Sequence, residues 1–428
     1  MFALFGIGVL VVLAMSVFVF GLIFGEMGRG FIKEKRRQIL LVGCLLSGIV
    51  AFGFKLIVMV ALNSGQGQGL SQVLVEERSI LSRLHVPLRT NIQPITLVSS
   101  DPKPYVWETL PVDMTSTVHQ NQWVELGRKL FHDTRLSFNH QVSCASCHNV
   151  FEQAGTDLKK TSIGIYGQRG ARNAPTVWNS AFQKVLFWDG RANSLEDQAK
   201  GPPVNPLEMG LPNHDMMVKR VQNDSEYERA FHQILGENSV LALPDIVHAI
   251  AMYERTLVSR DTAYDYYVSG DESALNTQQK TGMRTFAQIG CVACHSGPNF
   301  SASSVFSETS PFRVFPASHS EIALKYGLLE KTADGQFLPR AWRVPSLRNV
   351  ALTAPYFHNG RVNQLQSAIK IMAQTQLGRI YVGRAGHGVA LDNAHTISAE
   401  DIENIAAFLK ALSSEQLRSS NRYSTSLH

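Results

Sequence analysis

Phe2–Phe24 runs for 23 residues without a charge, and Ile39–Leu62 repeats the pattern with Lys55 as its one interruption. As a helix the first stretch is about 35 Å long, enough to cross a hydrocarbon core of about 30 Å. Both are predicted as membrane-spanning helices, Lys55 extending its stem toward the nearer interface. A secretory signal is the weaker reading, because its apolar stretch is only about 7–15 residues long and follows a basic start that is absent here. Beyond Leu62, NSGQGQG reads as a flexible tether, and the polar, Pro-rich stretch 86–118 has no period that assigns it an element. From 119 onward helical spacing takes over. The clearest cases are PDIVHAIAMYERTL at 244–257 and SAEDIENIAAFLKAL at 398–412. The second repeats Ile402, Ile405, Leu409 and Leu412 and opens with Ser398 and Asp401 in capping-box spacing. The expected fold class is mainly α.

Composition narrows the picture. A chain of 428 residues with 44% hydrophobic, 18% charged and 5 Cys is neither disordered nor collagenous nor a small disulfide scaffold. The net charge of +5 is unevenly placed: residues 1–62 carry six basic and two acidic groups, the other 366 carry 34 and 33. No basic surface for nucleic acid is therefore expected on the folded part. Five of the six early basic residues crowd GEMGRGFIKEKRRQ, between the two spans, which marks that loop as cytoplasmic. Everything after Leu62 is then expected on the periplasmic side of the inner membrane. Neither span contains His, so no heme is held there by paired imidazoles. The hairpin 1–62 reads as an anchor, with Cys44 a small buried residue of its second helix.

The other four cysteines form Cys144-Ala-Ser-Cys147-His148 and Cys291-Val-Ala-Cys294-His295. Each is C-x-x-C-H, in which two thiols take the vinyl groups of a heme and the adjacent His reaches the iron, so two covalent c-type hemes are expected. A zinc site needs no His after both pairs, and a C-x-x-C loop is short for a structural disulfide. LGRKLF at 126–131 precedes the first pair and TGMRTF at 281–286 the second, each as a helix feeding a heme loop. The reading is two tandem cytochrome c-like heme domains, 119–265 and 266–428, behind a linker and N-terminal extension at 63–118. Met372 is the one methionine after Cys294, hence the one thioether the second domain offers its own heme.

LGRKLFHDTRLS, SCASCHN, RNAPTVWNSAF, FWDGRANSLEDQAKGP, NPLEM, RVPSLRNVALTAPYFHNG and the last helix occur in the order found in bacterial diheme cytochrome c peroxidases, which this chain resembles from about 120 to 413. The resemblance implies that the heme at His148 is the peroxidatic centre and that the heme at His295, with Met372, is the high-potential electron-entry centre. It further implies that Glu208 is the distal acid/base, that Gln198 lines the same pocket, and that Trp188 relays electrons between the hemes. Asn173, Thr353 and Pro355 match positions around an interdomain calcium, a cation suited to backbone and amide oxygens. Hydrogen peroxide is the implied substrate. A small c-type cytochrome, a cupredoxin or the quinol pool is the implied donor, and a homodimer is an expectation of the same kind.

One departure matters. Many members carry a ligating His in the loop before RNxPT, where this chain reads SIGIYGQRGARNAPT and Ile165, beside Tyr166, takes its place. The expectation is a first heme open to peroxide without a reductive switch, unless Tyr166 or a shifted His substitutes. Two alternatives stand beside the peroxidase. One is a protein-modifying oxidase of the methylamine-utilisation type, which bears Tyr where a peroxidase has its distal Met. The other is a diheme carrier that needs no acid/base at all.

Overall fold

The computed structural model describes residues 107–111, 118–383 and 396–419. The expected hairpin, its tether and most of the stretch 63–118 lie outside the described residues, among which no helix is long and apolar enough to cross a membrane. The described part is mainly helical, as expected. Its first half holds α1 (Val118–His132), α2 (Cys144–Cys147), α3 (Leu195–Ala199), α4 (Gly201–Val204), α5 (His214–Gln222), α6 (Ser225–Leu235) and α7 (Leu243–Arg255). The second holds α8 (Ala263–Val268), α9 (Thr277–Ile289), α10 (Glu321–Lys325), α11 (Leu365–Thr375) and α12 (Ala399–Ala411).

The periodic segments fold where their spacing placed them. α7 takes up the expected segment from Leu243 to Arg255, ending at the C-cap Thr256, with Pro244 in its first turn, where a missing N–H costs nothing. α12 takes up 398–412 behind its N-cap: Ser398 Oγ accepts from Asp401 N–H at 3.0 Å, and Asp401 Oδ2 accepts from Ser398 N–H at 2.8 Å. Such a reciprocal cap stabilises a helix end by about 1 kcal/mol.

Each half closes in the same way. α7 crosses α1 at Gly127, where a Cβ would stand 1.8 Å from Ala249 O, and α12 crosses α9 at Gly282, where a Cβ would stand 1.8 Å from Asn404 O. Around the first crossing Leu126, Leu130, Phe131, Ile246 and Ile250 form one apolar core; around the second, Phe286, Ile289, Ile405, Phe408 and Leu409 form another. Leu417, beyond α12, packs into the first core. The segment 107–111 is placed too: Trp107 meets the rings of Tyr264, Phe300 and Phe408, and Leu110 O accepts from Arg260 Nε at 3.0 Å.

Strands are few and short. β1 (Phe312–Phe315) pairs antiparallel with β4 (Arg340–Arg343), Phe312 opposite Arg343. β2 (Glu330–Lys331) pairs antiparallel with β3 (Phe337–Leu338), and β5 (Ile380–Tyr381) runs parallel to β6 (Thr396–Ile397).

Candidate active site

A cavity of about 610 Å³ runs between the two halves. Both cysteine pairs and both following histidines line it, and so do Glu208, Gln198, Trp188, Met372, Asn173, Thr353 and Pro355. The structure thus brings together every site residue named from the sequence.

The two C-x-x-C-H runs are built alike. In each, the His backbone N–H returns to the carbonyl of the first cysteine, His148 to Cys144 and His295 to Cys291, both at 2.9 Å. That turn sets imidazole beside thiol. The ring Nδ1 of His148 lies 3.1 Å from Gly155 O and that of His295 lies 3.1 Å from Phe300 O. A proton on Nδ1 satisfies each carbonyl and leaves Nε2 as the ligating atom. Burial holds both rings neutral, lowering His148 below the ordinary histidine range and His295 to about 4. The four thiols make no disulfide, and burial pushes Cys144 and Cys291 up to about 12. Free thiols, paired one turn apart beside neutral imidazoles on a cavity wall, fit two covalently attached hemes.

Glu208 stands on a turn that Asn205 organises from both ends of its amide. Asn205 Oδ1 accepts from Leu207 N–H at 3.0 Å, while Nδ2 donates to Glu208 Oε1 at 2.9 Å. Oε2 has no protein partner among the described residues. Burial raises the Glu208 pKa above the ordinary carboxylate range, opposed by the charge of Arg191 and by the Asn205 hydrogen bond. Gln198 reaches the same wall from α3, whose N-cap Ser194 accepts from Asp197 N–H at 3.0 Å.

Trp188 is half-buried, its indole N–H donating to Asn173 O at 2.8 Å. Asn173 in turn donates its backbone N–H to His358 O at 2.9 Å and its side-chain Nδ2 to Lys159 O at 2.8 Å. Met372 projects from α11 into the cavity wall. The described residues hold no cluster of three or more His, Cys, Asp or Glu suited to a metal ion, and the residues matched to calcium offer amide, hydroxyl and backbone oxygens instead.

Ile165 is 4% exposed and packs with the first apolar core, while Tyr166 is 64% exposed. Neither lines the cavity, whose imidazoles are His148, His295 and His358. His358 belongs to PYFHNG, a motif legible in the sequence to which no role was attached. It stacks on Trp342 with centroids 4.3 Å apart, and its Nε2 is 3.4 Å from Glu330 Oε1. Burial and the charges of Arg172 and Arg340 lower it to about 3, so the ring is neutral and the contact is not an ion pair. Sequence reasoning also missed Asn205, Glu254 and Arg343 on the cavity wall. For Asn205 the Asn-Pro of NPLEM was a usable signal, since Asn before a turn bonds the backbone two residues on.

A family model described as di-haem cytochrome c peroxidase matches residues 121–273. The cytochrome c551 peroxidase of Pseudomonas aeruginosa is 39% identical over 300 residues, covering 69% of this chain and 79% of that protein. The cytochrome c peroxidase Ccp of Escherichia coli is 39% identical over 292 residues, covering 68% of this chain and 58% of that protein. Among solved structures, a MauG-like protein associated with microbial copper homeostasis superposes with a TM-score of 0.56 at 29% identity, over 77% of this chain and 99% of that one.

Proposed function

The chain belongs to the di-haem cytochrome c peroxidase family and has that family's activity, the reduction of hydrogen peroxide by a cytochrome; we propose that peroxide reacts beside Glu208 in the first half and that electrons enter through the second. The observation that supports this division is the Glu208 turn, which sets a half-buried carboxylate on the wall of the cavity that Cys144, Cys147 and His148 also line.

A heme held by Cys144, Cys147 and His148 would supply the iron at which peroxide is reduced, and one held by Cys291, Cys294 and His295, with Met372, would supply electron entry. The rest falls to the protein's own residues. Asn205 holds Oε1 of Glu208 and leaves Oε2 to act. Oε2 takes a proton from the near oxygen of hydrogen peroxide and delivers it to the far one, which departs as water when the O–O bond breaks. Two electrons and two protons complete the second water. Gln198 positions the peroxide from the same cavity, and Trp188, held through Asn173, lies on the electron path between the halves. With Ile165 in the core and Tyr166 in solvent, peroxide displaces no side chain on entry.

In this reading the hairpin 1–62 anchors the chain to the inner membrane with residues 119–265 and 266–428 as periplasmic heme domains. A small c-type cytochrome, a cupredoxin or a quinol-linked donor supplies the electrons. Calcium bridges the halves at Asn173, Thr353 and Pro355. Met372 supports a peroxidase over a protein-modifying oxidase, which carries Tyr at that position. The test is peroxide-dependent oxidation of a reduced small c-type cytochrome by the full-length holoprotein. Saturable turnover is expected. No oxidation, with the enzyme first oxidised or first reduced, would favour the carrier or the protein-modifying oxidase.

A further inference from the structure

Among the described residues two guanidinium groups are buried in the second half, and the fold treats them differently. Arg348 is 1% exposed and meets Asp265 with two parallel hydrogen bonds of 2.8 and 2.9 Å, the usual way to hold a buried cation. Arg343, at the end of β4, is 6% exposed and has no carboxylate partner among the described residues. Its Nε donates to Phe187 O at 2.9 Å and one terminal nitrogen donates to Gln183 Oε1 at 3.1 Å. The other terminal nitrogen has no protein acceptor among the described residues, and the side chain lines the cavity.

An isolated buried cation is expensive, and burial alone, with no acidic neighbour opposing it, pushes this guanidinium down to about 10. Three acids line the cavity and none bonds Arg343: Asp189 pairs with Arg191 at 2.8 Å, Glu208 bonds Asn205, and Glu254, on α7 of the first half, is kept protonated by burial, which raises its pKa to about 8. A second guanidinium on the same wall, Arg313 of β1, bonds the carbonyls of Ser310 and Phe312, both at 2.8 Å, and no carboxylate among the described residues. The anion that Arg343 lacks must therefore come from what fills the cavity. The wall from Trp342 to Leu347 is also tied to the loop that follows His295: Ser301 Oγ donates to Val344 O at 2.6 Å and Ser346 Oγ donates to Asn299 O at 2.8 Å.

We propose that Arg343 binds a propionate carboxylate of the heme attached at Cys291 and Cys294, and through Nε ties that carboxylate to the loop bearing Trp188. This rests on the heme assignment above. The backbone agrees, since Arg343 N–H donates to Trp188 O at 2.9 Å, so one residue grips both Phe187 and Trp188.

The test is a spectroelectrochemical titration of full-length holoprotein as wild type, Arg343→Gln and Arg343→Lys, with heme content measured alongside. Losing a positive charge beside the heme favours its oxidised state. Arg343→Gln should shift the reduction equilibrium of the His295 heme about tenfold that way, 59 mV for one electron, and leave the other heme unmoved. Arg343→Lys keeps the charge and should restore most of the shift. Loss of the second heme from Arg343→Gln with retention in Arg343→Lys supports the same contact. Unmoved potentials in Arg343→Gln, an equal shift in both variants, or a shift confined to the His148 heme would overturn it. A wild type with no thioether-linked heme at Cys291 and Cys294 would refute the heme assignment itself.

Discussion

Asn205 Nδ2 donates to Glu208 Oε1 at 2.9 Å, so the amide aims the carboxylate and stabilises its ionised form. If Oε2 is the acid/base, Glu208→Gln keeps the size and loses the proton transfer. Turnover should fall by roughly 10²–10⁴ with both heme spectra unchanged. Because burial raises the Glu208 pKa and only the ionised form accepts a proton, kcat/KM should decline as pH falls through a value above the ordinary carboxylate range. Asn205→Ala removes a bond that lowers that pKa, so its acid limb should move to higher pH. A limb that stays in place would detach the profile from Glu208.

The loop that lacks the expected His supports the Glu208 turn from behind. Ile165 N–H donates to Glu208 O at 2.9 Å, and a Cβ on Gly164 would stand 2.1 Å from Leu207 O and 2.6 Å from Glu208 O. These are backbone atoms and cannot swing aside. Gly164→Ala should push the turn and lower kcat by about tenfold or more, since a displacement of about 1 Å can cost 10²-fold. Heme content, measured in the same preparation, should stay at two per chain.

Gly127 and Gly282 make a stability prediction that treats the halves alike. A methyl group at either drives a helix off its partner, and overpacking of this kind costs about 1–3 kcal/mol. Denaturant unfolding of Gly127→Ala and Gly282→Ala should show a loss of that order in each. A neutral result would mean that the helices separate without penalty.

Glu254 gives the stability a pH dependence. It is 4% exposed, its Oε2 has no partner, and burial raises its pKa to about 8. In the unfolded chain it ionises near the ordinary carboxylate value of about 4.3. The folded state therefore holds the proton more tightly, and stability should fall as pH rises from there to about 8. Glu254→Gln cannot ionise, so its Tm should be flatter across that window and higher than wild type at pH 8.

How much of this was legible depended on how local the signal was. C-x-x-C-H is a contiguous motif whose spacing is its chemistry, and the closing helices announce themselves by period and cap. LGRKLF and TGMRTF were readable as a repeat, yet the reason for their shared Gly appears only when α7 and α12 lie across it. Arg343 and Glu254 look like surface charges in one dimension, because what buries them comes from segments distant in the chain. Arg343 meets Phe187 O across 156 residues. Ile165 was readable as a missing ligand, but its place in the core needed Gly210 folded against it.

The most direct test of the account mixes fully oxidised protein, never reduced beforehand, with hydrogen peroxide and a reduced small c-type cytochrome. The account predicts turnover from the first cycles, because in it neither Ile165, packed in the core, nor Tyr166, exposed to solvent, closes the pocket at His148. Turnover that appears only after reductive pretreatment would mean that a ligand does close it, and would contradict the reading of Ile165 and Tyr166.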